Sequence, residues 1–130
     1  MFDVDGMTIT LTVGDTGAVR IRSSGYNFQT DDAILFTVKT GNGSVMFDRV
    51  FTNKRGEGIR WDGPIEEDNS VIVCFHNKDT EGYSAGPYTW DVRYIIKAYR
   101  DDTGAITDGD QVITPYGPQQ LILKSAVGTV

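Results

Sequence analysis

The sequence predicts an all-β protein, an antiparallel sandwich of about seven to nine strands in a single domain. Three observations predict it. Apolar residues recur with a period of two in one segment after another. Clusters of Gly, Asp and Asn break these segments at short, regular intervals. No stretch keeps the 3.6-residue period of an amphipathic helix.

The first clear strand is "MTITLTV" (residues 7–13), where Met7, Ile9, Leu11 and Val13 alternate with three threonines. "GDTG" then turns the chain into "AVRIRS", and both segments are expected to be half-buried. "AILFTVKT" (33–40) and "VMFDRVFT" (45–52) flank "GNGS", whose Asn-Gly core suits the positive φ angles of a tight hairpin. "GIRW" (58–61) reads as a short strand and "GPIEED" as a turn. "SVIVCFH" (70–76) is apolar on both faces and reads as a central strand.

The longest alternation begins at Tyr88. Tyr88, Trp90, Val92, Tyr94, Ile96 and Ala98 share one face, and Thr89, Asp91, Arg93, Ile95, Lys97 and Tyr99 share the other. After "DDTGAITDGD" the chain is extended again in "QVITP" and in "LILKSAVGTV". Pro115 and Pro118 interrupt this region, and proline cannot donate to a ladder, so it is expected at an edge or at a change of sheet. The expected core is Leu11, Ile21, Ile34, Phe36, Val38, Val71, Val73, Phe75, Tyr88, Trp90, Val92, Tyr94 and Leu121, with Trp90 as its anchor.

Composition narrows the function. The chain has 130 residues, 39% of them hydrophobic and 23% charged, which suits one globular domain. A net charge of -6 without a basic cluster argues against nucleic acid as a partner. No apolar run reaches the roughly 20 residues of a membrane-spanning helix. The N-terminal "MFDVDG" is acidic where a signal peptide is basic, so synthesis in the cytoplasm without secretion is expected. Cys74 has no cysteine to pair with, and its apolar neighbours predict a buried, inert thiol.

No catalytic set, cofactor site or metal site emerges from the residues. Asp101, Asp102, Asp108 and Asp110 offer oxygen ligands for calcium. However, Ala105 and Val112 stand where an EF-hand needs its fifth and twelfth ligands. His76 is the only histidine, which leaves a catalytic triad or zinc site without members. Glu66, Glu67 and Asp68 are adjacent in a turn and cannot face each other across a glycoside. "GNGS" joins strands, whereas a phosphate cradle needs a helix behind it. The aromatic residues in or near loops, Tyr26, Trp61 and Tyr83, are the candidates for stacking on a sugar, which makes a carbohydrate-binding sandwich the alternative function.

One stretch carries a family resemblance. "DTEGYSAGPYTWDV" holds an acid-Thr pair, a spacer and then Gly-x-Tyr-x-Trp-Asp-Val, and it resembles the late aromatic strand of phage tail Ig-like domains. The N-terminal domain of phage baseplate upper proteins is especially similar. An opening strand before "GDTG", the "DDAILFTVK" strand and "VITPYGPQQLIL" follow in the same order, so the resemblance spans nearly the whole chain. Baseplate upper proteins usually continue into a further C-terminal region, and this sequence stops at Val130.

The resemblance implies an Ig-like sandwich over residues 7–130, with residues 1–6 as an N-terminal extension. It also implies a non-enzymatic structural role in a phage or prophage tail or baseplate, with the chain destined for the virion. Its partners would be other tail subunits or further copies of itself. The outer face of the long strand, with Asp91, Arg93, Lys97 and Tyr99, is the expected contact surface, beside the loop aromatics Tyr26, Trp61 and Tyr83.

Overall fold

The computed structural model describes residues 2–23 and 26–125. Eight strands and one short helix succeed one another: β1 (Phe2–Asp5), β2 (Thr8–Thr12), β3 (Gly17–Arg22), β4 (Ala33–Lys39), β5 (Val45–Thr52), β6 (Ser70–Phe75), α1 (Asn77–Thr80), β7 (Gly86–Arg100) and β8 (Ile106–Lys124). They form a six-stranded sheet in the order β1-β2-β8-β7-β4-β5 and a two-stranded sheet of β3 and β6. The run β8-β7-β4-β5 faces β3 and β6, so the chain folds as an all-β sandwich. One ladder departs from the antiparallel expectation. β2 runs parallel to β8, with Ile9 opposite Leu121 and Leu11 opposite Leu123.

The hairpin of β4 and β5 forms as its sequence predicts, with Ile34 opposite Phe51 and Val38 opposite Phe47. Its turn differs in detail. Gly43 alone takes a positive φ, of 85°, while the Asn42 side chain accepts a bond from the Ser44 amide at 3.1 Å. The chain then runs along the outer edge of β5. The amide of Asp62 donates to the Val50 carbonyl at 2.8 Å, that of Thr52 donates to the Gly63 carbonyl at 3.1 Å, and the Trp61 indole donates to the Thr52 carbonyl at 3.0 Å. Residues 58–61 do not form the expected strand, and Asp62 and Gly63 just after them occupy part of a ladder that would otherwise be open to another chain.

β6 is not central. Among the described residues it pairs with β3 alone, and its alternating burial leaves one face to solvent, where Cys74 is exposed rather than buried. Its inward residues Val71, Val73 and Phe75 are each 1% exposed or less. The first residues are likewise not a loose extension. β1 pairs antiparallel with β2, and the Phe2 ring lies 5.4 Å from that of Phe75. A side chain at Gly17 would collide with Phe2, so β1 is wedged against the small sheet.

All the expected core residues pack into the core. Ile21 and Tyr88 do so while partly exposed, and Ile9, Phe47, Phe51, Ile65 and Leu123 join them. The Phe75 ring meets Phe36 and Phe47 edge-on at 5.9 and 5.7 Å, which locks the two sheets together. Trp90 is 4% exposed and sits 5.7 Å from Phe36.

Both prolines of β8 are explained by bulges. Trp90 opposes Gln119, Val92 opposes Tyr116 and Tyr94 opposes Ile113, so each two-residue step on β7 spans three residues on β8. Pro118 falls in the first extra step and Pro115 in the second. β2 pairs only with residues 121–124 of β8, so the prolines also lie where β8 has no second neighbour among the described residues. The end of "LILKSAVGTV", from residue 126, lies outside the described residues.

Candidate functional site

β7 continues past the start of β4, whose Ala33 opposes Ile95. Beyond that point β7 pairs with β8 as a two-stranded ribbon, in which Ile96 opposes Gln111, Ala98 opposes Gly109 and Tyr99 opposes Asp108. A kink opens the ribbon. Lys97 adopts a left-handed φ of 51°, and its amide is taken by the buried Asp32 carboxylate at 3.0 Å, which also accepts from the Gln29 amide at 2.7 Å. The Ala98 amide then bonds to the Asp31 carbonyl at 3.0 Å. Asp32, 1% exposed, thus fixes where the strand bends and how the ribbon leaves the sheet.

One face of the ribbon carries Lys97 and Tyr99 from β7 and Asp108, Asp110 and Val112 from β8. Tyr99 is 53% exposed and Val112 47%. The Tyr99 hydroxyl donates to Asp110, which also stands 3.8 Å from the Lys97 ammonium. The hydrogen bond to Asp110 leads in raising the Tyr99 pKa above the ordinary phenol value, and the charges of Asp110 and Asp108 add to it. The ribbon is braced from one side. An added Cβ at Gly104, which has a φ of 82°, would overlap the Gly58 carbonyl, so the β5–β6 connection reaches the β7–β8 turn.

The expected contact residues of β7 do share a face, but only its far end is open. Lys97 and Tyr99 are exposed, whereas Asp91 and Arg93 are half-buried. Ile95 between them is 3% exposed, and its neighbours on that face, Thr37 and Val50, are each 4% exposed. Asp91 keeps 15% of its side chain exposed and stands 3.9 Å from the Lys39 ammonium. The exposed part of that face is therefore the ribbon rather than the whole outer face of the strand.

The three loop aromatics do not converge. Tyr26 packs on Phe28 at 4.7 Å and stands 6.3 Å from Tyr94, a cluster that plugs one flank of the core. Trp61 has one ring face taken by the Arg55 guanidinium at 4.0 Å and its indole nitrogen bonded to Thr52. Tyr83 is half-buried and meets Tyr88 edge-on at 6.3 Å. Tyr83 lines an open hollow.

In the acidic loop, Asp101 spends its carboxylate locally. Asp101 accepts from the Thr103 amide at 2.9 Å, the Thr103 hydroxyl at 2.6 Å and the Ala105 amide at 3.1 Å, and the bonds from Thr103 lead in lowering its pKa. Asp68 closes the turn before β6 in the same way. It accepts from the Ser70 hydroxyl at 2.6 Å and from Arg22 at 2.8 Å, and Ser70 is the main cause of its lowered pKa. His76 precedes α1, where its amide donates to Asp79 at 2.7 Å.

An ion pair was missed by sequence reasoning. Arg49 on β5 pairs with Asp79 of α1, both side chains 11% exposed, and Arg49 also donates to the Asp48 carbonyl at 2.8 Å and the Cys74 carbonyl at 3.3 Å. It joins the edge strands of the two sheets. The fold and these surfaces define an all-β sandwich with a buttressed terminal ribbon. No protein-family model matches the chain, and no curated protein matches its sequence.

Proposed function

We propose that this chain is a non-enzymatic structural protein of a phage or prophage tail or baseplate, made in the bacterial cytoplasm and built into the virion through contacts with other tail subunits or further copies of itself. The observation that carries this reading is the ribbon of β7 and β8, which holds Tyr99 and Val112 about half exposed on one face, beside Lys97 and Asp110. A braced two-stranded ribbon presents shape and apolar area without catalytic groups, and repeated copies of such contacts close into rings. The order of strand motifs around "GPYTWDV" supports the same reading through its resemblance to tail Ig-like domains.

The experiment is co-sedimentation. In cells that express the chain with its neighbouring genes, tagged wild-type protein should travel with tail particles in a density gradient. The double variant Tyr99→Ala, Val112→Asp should stay at the top of the gradient while keeping its melting temperature. Wild-type protein that never enters a particle would sink the proposal.

A further inference from the structure

The end of the sandwich that holds the β4–β5 turn carries a second surface, distinct from the ribbon. Two hollows adjoin there, one of about 570 Å³ and one of about 420 Å³, and they share Gly41, Pro87 and Tyr88. Their size falls within the range of roughly 300–1,000 Å³ usual for small-ligand sites. In a chain with 23% charged residues, no residue lining either hollow carries a charge.

The lining is aromatic, amide and hydroxyl. Tyr83 and Tyr88 stand perpendicular, with ring centroids 6.3 Å apart, and make a corner with one ring as floor and the other as wall. The Tyr88 hydroxyl donates to the Ser84 carbonyl at 2.6 Å, which fixes its ring and leaves its oxygen free to accept. Asn42 uses its side-chain oxygen on Thr40 and Ser44, so its amide nitrogen remains available as a donor. Gln119 and Gln120 line the second hollow. Gln119 lies opposite Trp90 in the ladder, on the face that Trp90 shares with Tyr88, which sets its amide on the side of the tyrosine corner.

We infer that this corner binds a neutral glycan. A pyranose ring presents apolar C–H faces to an aromatic floor and hydroxyl pairs at its rim, and carboxamides offer the matching donor and acceptor together. An anionic sugar would find no cation here, and a cationic peptide would find no carboxylate. The inference holds whether or not the chain belongs to a phage tail. The site is open and shallow, so binding is expected to be weak and to depend on several sugar units in a row.

The test is an amide NMR titration of the whole chain with maltotriose, cellotriose and triacetylchitotriose, each to about 20 mM, well above the ~1 mM dissociation constant expected of a shallow site. Saturable shifts should appear at residues 41–44, 83–89 and 119–120 with at least one sugar. They should weaken at least tenfold in Tyr83→Ala and in Gln119→Ala, each with an unchanged fold by its remaining spectrum. Absence of saturable shifts with all three sugars overturns the inference, as does binding that survives both substitutions. A response of the same amides to a neutral proline-rich peptide and to no sugar would reassign the corner to peptide recognition and also overturn it.

Discussion

The indole nitrogen of Trp90 donates to the backbone carbonyl of Met7 at 3.1 Å, which ties the middle of β7 to the turn between β1 and β2. The ring itself packs on Phe36 and Tyr116, 5.7 and 6.2 Å away. Replacing Trp90 with alanine opens a cavity and frees the Met7 carbonyl, and should cost about 3–5 kcal/mol. Trp90→Phe keeps part of the packing but leaves that carbonyl unpaired, a loss of about 1–2 kcal/mol from the hydrogen bond alone. Urea denaturation ranks the three proteins, and a melt of Trp90→Ala equal to wild type would remove the anchor role.

The pair of Arg49 and Asp79 should behave as a buried ion pair, since each side chain is 11% exposed. Removing either partner strands the other charge and should cost about 3–5 kcal/mol, whereas the double replacement Arg49→Met, Asp79→Leu should recover part of that loss. A double-mutant cycle measures the coupling. A value below about 0.5 kcal/mol would place the two residues as independent.

At Lys97 the backbone carries strain that only glycine relieves without cost, given its φ of 51°. Lys97→Gly should raise stability by about 1 kcal/mol, and Lys97→Val should lower it. Asp32→Ala should cost about 1–3 kcal/mol, because the Gln29 and Lys97 amides lose their acceptor. Thermal melts of the three variants decide this, and equal melting points would mean that the kink is not specified by these residues.

Alkaline pH should weaken the fold. Burial raises the pKa of Tyr26 and of Tyr94, and Asp110 raises that of Tyr99, in each case above the reference value of 10.0. A phenol that resists ionisation when folded adds stability that is complete below its unfolded pKa and is lost as pH rises through the folded value. Urea midpoints should therefore fall progressively above about pH 10. Tyr99→Phe should flatten part of that fall, and a midpoint constant through this range would contradict the assignment.

The residues whose environment is local were legible in the sequence. Alternation placed Val92, Trp90 and Phe36 inward because period two admits no other face. Pro115 and Pro118 announced a broken ladder, and the structure resolves that break into two bulges. Cys74 misled because an apolar run looks the same whether one face of a strand is covered or both are, and only the packing of the layers tells these apart. The pairing of Arg49 with Asp79 and the meeting of Asn42, Tyr88 and Gln119 at one end depend on which segments become neighbours. No spacing along the chain encodes that. Asp91 and Arg93 look like surface residues by alternation, yet Ile95 and Val50 share their face and are buried.

The parallel ladder between β2 and β8 also sets an order of events during synthesis. Ile9 and Leu11 leave the ribosome well before their ladder partners Leu121 and Leu123. Until those partners emerge, β2 offers an apolar strand edge that β1 covers on one side only. Long-range closure of this kind slows folding, so the nascent chain should depend on chaperone cover, or on low expression temperature, more than its modest size would suggest.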